Sequence, residues 1–234
     1  MKKTIKIILI IFIVLSVSVG TLAIWQWKNI QSIILGVSEN SEQIEKRRND
    51  NQTKLAQDVS TYMDEPLREM SEEEKKQIKE GNVSVNEVYQ KMFEEKSENI
   101  EEKVSSTEKE PSANLEKTGN KDEIISRYMT QLYKLQNEFT AKAEATIKRG
   151  DNYYEDIKAH PQDPVARANT ITHFTPVVRA MEKECDVKVE EVLSNLRKEL
   201  EAIGADTAII ETIRKTYANE KQLKLSYYAN KYLK

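Results

Sequence analysis

The chain has 234 residues, of which only six are glycine and five are proline, while 32% are charged. Sheet folds need many turns rich in Gly and Pro, so this composition argues against a sandwich, a barrel or a doubly wound sheet. The 39 acidic and 36 basic residues nearly cancel, without the strong basic excess typical of nucleic-acid-binding proteins. We therefore expect an all-α protein built of long helices, with no nucleic-acid partner.

The N-terminus has the pattern of a membrane-spanning helix. Three lysines lie within the first six residues, and an uncharged, mostly apolar stretch follows over residues 7–25. Its nineteen residues would span about 28 Å as a helix, close to the hydrocarbon thickness of a bilayer. Trp25 and Trp27 add the indole rings that favour a membrane interface. We expect this segment to be a retained signal-anchor.

A cleaved signal peptide is the alternative interpretation of the same segment. Its apolar region would normally be about 7–15 residues long, and cleavage after Ala23 or near Gly20 would release the chain. With the anchor retained, the lysine excess before the span keeps the N-terminus in the cytoplasm by the positive-inside rule. Residues 28–234 would then lie outside the cytoplasm, at the cell membrane, whereas cleavage would make the protein secreted.

The stalk and the segments after it are predicted from helical spacing and caps. An apolar period from Ile30 to Met63 predicts a stalk helix, interrupted around residues 47–53. Two capping boxes then predict helices over residues 71–80 and 84–103. Gly81 between these helices suits a left-handed turn. The two helices would form a small helical hairpin.

Three long amphipathic helices are predicted in the distal half. The first runs from about Asp122 and is closed by Gly150, the second is closed by Gly204, and the third begins at Asp206. Helices of this kind bury their apolar stripes only against each other, so we expect an antiparallel three-helix bundle. The segment 150–163 would be its longest connection.

Pro164 and Pro176 allow two interpretations of where the second bundle helix begins. Either a short helix over residues 164–173 precedes a separate one from residue 176, or one helix over 164–203 kinks at Pro176. Ile171, Val178 and Cys185 are spaced by sevens through the proline, which favours the kinked helix. Cys185 is then expected to be a buried, inert core residue.

The predicted domain organisation has four parts. The membrane-proximal residues 39–118 hold 21 acidic and 13 basic residues, whereas residues 119–234 hold 18 and 19. The segment before the bundle has little periodicity and is predicted to be a linker. The boundaries are 1–27 for the cytoplasmic start and signal-anchor, 28–104 for the stalk and hairpin, 105–121 for the linker and 122–234 for the bundle.

No pattern in the sequence indicates catalysis, a cofactor or a metal site. His160 and His173 have no neighbouring ligands at a metal-binding spacing, and the six glycines are scattered singly rather than in a phosphate-binding loop. We therefore expect no catalytic, cofactor-binding or metal-binding residues, and a protein that is not an enzyme.

Tyrosine is concentrated in the distal half. The ordinary interpretation is that these rings line the bundle ends, while the alternative is that adjacent tyrosines turn some rings outward to contact a partner. In an up-down-up bundle the first connection and the end of the third helix lie at the same end. The candidate partner-binding residues are Tyr153, Tyr154, Tyr227, Tyr228 and Tyr232.

These features predict a membrane-anchored, extracytoplasmic helical protein that acts by binding, as an adaptor or scaffold with a protein partner in the cell envelope. A homo-oligomer is an open alternative. The rival hypothesis is a secreted helical bundle that sequesters a small apolar ligand between its helices.

Overall fold

The computed structural model describes residues 40–105, 120–161 and 163–233, and this part of the chain is all-helical. The expectation of an all-α protein is confirmed for these residues. The predicted membrane span over residues 7–25 lies outside them, as does most of the predicted linker. Among the described residues no helix is long and apolar enough to cross a bilayer. The six helices are α1 (Ser41–Ser60), α2 (Glu72–Lys79), α3 (Val85–Ser105), α4 (Lys121–Ile157), α5 (Pro164–Ala202) and α6 (Ile209–Leu233).

The chain divides into two compact units. One combines the chain up to Leu55 with the chain from Glu211 onward, and the other runs from Ala56 to Ile210. The predicted domain boundaries and the three-helix bundle over residues 122–234 stay predictions.

The first unit contains a carboxylate held between helices α1 and α6. Glu220 is only 6% exposed, and its Oε1 lies 3.1 Å from the Nε of Arg48. Asn51 donates from Nδ2 to the other oxygen of Glu220 at 3.3 Å. The predicted break around residues 47–53 is therefore wrong, because these polar side chains are used in contacts between the two helices while α1 continues through them.

The core of the second unit surrounds the N-terminal half of helix α4, which packs against both α3 and α5. The ring centroids of Phe93 on α3 and Tyr133 on α4 are 6.0 Å apart, and both side chains are almost completely buried. The α5 side chains that contribute to this core lie near the C-terminus of the helix. The fully or almost fully buried side chains of the unit include Phe93, Ile124, Ile125, Met129, Tyr133, Leu193, Leu196 and Leu200.

The two predicted capping boxes of this unit and its predicted left-handed turn at Gly81 are confirmed. Ser71 accepts from the backbone N–H of Glu74 at 3.2 Å and its own N–H donates to the Glu74 carboxylate at 2.8 Å. The Ser84–Glu87 pair makes the same reciprocal contacts, at 3.2 and 2.7 Å. Gly81 adopts a φ of 74°, in the left-handed region where a side chain is strained. These local contacts fix where α2 begins and ends and where α3 begins.

The predicted end of α4 at Gly150 is wrong. Gly150 lies inside the helix, which continues to Ile157, and only Gly81 and Gly204 among the described glycines have positive φ. A Cβ at position 150 would meet side-chain atoms of Phe174 and Thr170 at 3.8 Å, an ordinary contact distance. Packing against α5 outweighs the helix-breaking tendency of one glycine. The connection to α5 is consequently shorter than the predicted 150–163.

Helix α5 continues through Pro176 as one helix, as the spacing of its apolar residues predicted, and the predicted kink at Pro176 stays a prediction. The expectation that Cys185 is buried is wrong, because its side chain is only half-buried. The apolar line through Ile171, Val178 and Cys185 extends past the well-covered region that begins at Val189. Spacing alone therefore identified a continuous face but not the point at which that face becomes covered.

Replacing Gly150 by alanine distinguishes a mid-helix glycine from a helix-ending one. Because the added methyl group fits and alanine favours a helix, Gly150→Ala is expected to raise the free energy of unfolding by about 0.5–1 kcal/mol. The matched control Gly204→Ala, at a φ of 69°, should lower it by about 1 kcal/mol. Chemical denaturation followed by far-ultraviolet circular dichroism measures both. Destabilisation by both variants to the same extent would contradict the position of Gly150 within α4.

Candidate functional site

Helices α4 and α5 form an antiparallel hairpin whose far end we call the hairpin tip, defined as residues 143–181. Lys142 and Glu184 pair across the two helices at 3.0 Å, just before this region begins. Within the hairpin tip, the rings of Tyr153 and His173 face each other at 4.7 Å. From Arg167 to Lys188 no residue of α5 is buried, whereas its C-terminal part carries four buried apolar residues.

Exposed apolar side chains are concentrated in the hairpin tip. Val165 is 66% exposed, Ile171 is 52% exposed and Val178 is 42% exposed. Five of the seven large apolar side chains that are exposed in the described residues lie here, the other two of these five being Ile157 and Val177. Single exposed apolar residues are ordinary, but a group of them on one element is typical of an interaction surface.

An aromatic cluster holds the two helices together within the hairpin tip. Tyr153 of α4 stacks on His173 with an interplanar angle of 9°, and Phe174 meets the Tyr153 ring edge-on at 5.9 Å. The guanidinium carbon of Arg149 lies 5.6 Å from the Phe174 ring centroid, within the range of a cation–π contact. Phe174 shares a row with Ala166 and Thr170, at four-residue spacing, and Thr170 and Phe174 face Gly150 of α4. The sequence predictions did not include this row.

Threonine hydroxyls on this part of α5 bond to their own helix. Thr170 donates to the carbonyl of Ala166 at 2.8 Å, and Thr172 donates to the carbonyl of Ala168 at 2.9 Å. Thr175 makes the same contact with the carbonyl of Ile171 at 2.6 Å. Each hydroxyl bonded in this way leaves the threonine methyl group as the remaining side-chain surface. The surface of α5 is therefore more apolar than its sequence suggests.

The connection at the end of the hairpin is organised by one carboxylate. Asp163 accepts from the backbone N–H groups of Ala159, Val165 and Ala166 at 3.0, 2.9 and 3.1 Å. It therefore caps α5 and closes the turn that follows α4. The backbone hydrogen bond from Ala159, together with those from Ala166 and Val165, lowers the pKa of Asp163 below its ordinary value.

The predicted tyrosine patch is only partly described. Tyr153 and Tyr154 are half-buried and lie in the last turns of α4, not in the connection after it. Lys158 places its Nζ 5.7 Å from the Tyr154 ring centroid. Tyr227 is half-buried on α6, in the other unit, and the side chains of Tyr228 and Tyr232 lie outside the described residues. One patch made by all five tyrosines stays a prediction.

Two other titratable side chains of the second unit, Tyr128 and Asp122, hold parts of its fold in place. Tyr128 donates to Glu199 at 2.5 Å, and burial, followed by this hydrogen bond, raises the pKa of Tyr128 to about 12. Asp122, 2% exposed, accepts from the backbone N–H groups of Asp64 and Glu65. Within the described part of the chain, no group of three or more His, Cys, Asp or Glu side chains is placed to hold a metal ion.

Comparison of the chain with protein-family profiles, with characterised proteins and with solved structures finds no match.

The cap at Asp163 gives a pH-dependent prediction. Asp163→Ala is expected to lower the thermal midpoint by roughly 2–4 °C at neutral pH, because the backbone donors lose their acceptor. A carboxyl group whose pKa is lowered by folding stabilises the fold above its usual pKa and loses that effect as pH falls through the lowered value. The difference between variant and wild type should therefore disappear in strong acid. The exposed Asp156, replaced by alanine, is the control, and an equal effect there would contradict the role of Asp163.

Proposed function

We propose that the chain is a membrane-anchored, extracytoplasmic helical protein that acts by binding another protein of the cell envelope through the hairpin tip. The observation that carries this proposal is the concentration of exposed apolar side chains on a long, regular hairpin, at the end of which Val165 is 66% exposed. The proposal includes a membrane helix over residues 7–25, a stalk and a distal three-helix bundle.

The chemistry of the hairpin tip supports protein binding. Aromatic rings, arginine and aliphatic side chains are the groups that contribute most at protein interfaces, and the tip supplies all three. His173, Phe174 and Arg149 lie together beside exposed aliphatic residues of the same helices. Both helices are continuous here, so these groups are presented on backbone that is already ordered, which favours affinity.

The membrane proposal rests on the sequence of the first 27 residues and is tested by protease accessibility. Protease added to intact spheroplasts is expected to digest the chain beyond residue 28, because the positive-inside rule places that part outside. A cytoplasmic protein in the same spheroplasts, which should stay intact, is the control. Full-length protection would contradict the orientation, and a soluble chain that begins near residue 24 would support the secreted alternative.

The surface proposal is tested by a photoreactive amino acid placed at single positions in the membrane-anchored chain. At position 165 in the hairpin tip it should form one discrete adduct with an envelope protein, identified by mass spectrometry. At the exposed position 197, on the same helix outside the tip, it should form none. Adducts of equal yield at both positions, or at neither, would place the binding surface elsewhere.

A further inference from the structure

One apolar face of helix α5 continues beyond the part of the helix that its unit covers. Val189 is 4% exposed, but Cys185 is half-buried, Val178 is 42% exposed and Ile171 is 52% exposed. Positions seven residues apart drift by only about 20° around a helix, so Ile171, Val178 and Cys185 form one line. An apolar line with this spacing is the pattern by which one helix packs along another. We call these three residues the α5 line.

Charge is unevenly distributed on the two sides of Val178. Residues 164–181 contain two arginines, Arg167 and Arg179, and no carboxylate. Residues 182–191 contain five carboxylates and two lysines. The segment that carries the α5 line therefore has a basic half followed by an acidic half, and its partner helix should have the opposite order of charge.

We propose that the partner of the α5 line is the α5 line of a second copy of this chain, packed antiparallel. A twofold axis at Val178 places Ile171 of each copy opposite Cys185 of the other. It also brings Arg167 opposite the region of Asp186 and Glu190 in the second copy, so that the basic end of each segment meets the acidic end of the other, while Arg179 lies beside the axis. A twofold interface requires such self-complementarity, since each surface meets itself. This dimer goes beyond the proposed function, because it covers only residues 171–185 and leaves Val165 and Ile157 of the hairpin tip exposed for an envelope protein.

The charge order also selects the direction of packing. In a parallel pair, like charges would lie side by side along the whole segment, which disfavours that arrangement. The antiparallel pair overlaps over residues 171–185, about 21 Å of helix, and ends where the covered region of α5 begins at Val189. The α5 line therefore supplies apolar contacts between copies, and its flanking charges set the register.

A thiol crosslinking series on the full-length chain in detergent tests this arrangement. With the native thiol removed by Cys185→Ala, a cysteine at position 178 should give a dimer with a short bismaleimide, because the axis brings two such thiols together. The matched control is Val187→Cys in the same background. Val187 is 60% exposed and lies nine residues away, on the opposite side of the helix. Position 178 should give about tenfold more dimer than position 187, since paired copies hold their thiols at high effective concentration.

The wild-type chain and a second variant test whether the two copies of α5 pack antiparallel. Wild type should give no crosslinked dimer, because its two Cys185 thiols would lie far apart, whereas Ile171→Cys with native Cys185 should give one. Equal dimer from positions 178 and 187, dimer from neither, or dimer from wild type would overturn the proposal.

Charge reversal provides an independent measurement of the same register. Arg167→Glu should reduce the crosslinked dimer from position 178 severalfold, and Arg167→Glu combined with Asp186→Arg should restore it. Circular dichroism of each variant should match the parent, so that loss of dimer is not loss of fold. Failure of the double variant to recover, with helicity intact, would overturn the proposed register.

Discussion

The burial of the first four turns of α4 between α3 and α5 is the constraint on which the second unit depends. Its residues Ile124, Met129 and Tyr133 are 0–1% exposed, a degree of burial that requires covering elements around the helix. Because α4 contacts both neighbours, it fixes the direction of α3 and of α5 together. Asp122 at its first turn also accepts two backbone N–H groups of the preceding turn region, at 2.7 and 2.8 Å, which ties the end of that region to the same helix.

The exposed hairpin tip follows from the lengths of these helices. Helix α4 has 37 residues and α5 has 39, so each is more than about 50 Å long, whereas α3 has 21 residues and is about 30 Å long. The hairpin therefore extends beyond the part that α3 covers. Two helices alone cover one narrow stripe each, here the row that includes the buried Ala166 and the half-buried Phe174. Val165, Ile171 and Val178 lie outside this stripe and are exposed. An exposed apolar surface of this kind is suited to binding another protein.

Local contacts rather than a core hold the far half of the hairpin together. Glu138, Lys142, Glu184 and Lys188 form a network between the helices, with nitrogen–oxygen distances of 2.8–3.1 Å. All four side chains are more than a third exposed, so solvent screens these pairs and their contribution to stability is small. The cap at Asp163 and the ring stack at Tyr153 add directional contacts. This half should open more readily than the base of the hairpin, where apolar burial is greatest.

The sequence by itself determined the helical class, the capped starts at Ser71 and Ser84 and the glycine turns at Gly81 and Gly204, because each depends on contacts within a few residues. It also indicated the apolar face of α5 through Pro176. Only the tertiary structure decided which part of that face is covered, that α4 continues through Gly150, and that Tyr153 stacks on His173. The helical period of apolar residues identifies which face of a helix is apolar. Whether that face is buried depends on how far the neighbouring helices extend along it. The extent of the neighbouring helices depends on packing between residues far apart in the chain, which a local sequence pattern does not contain.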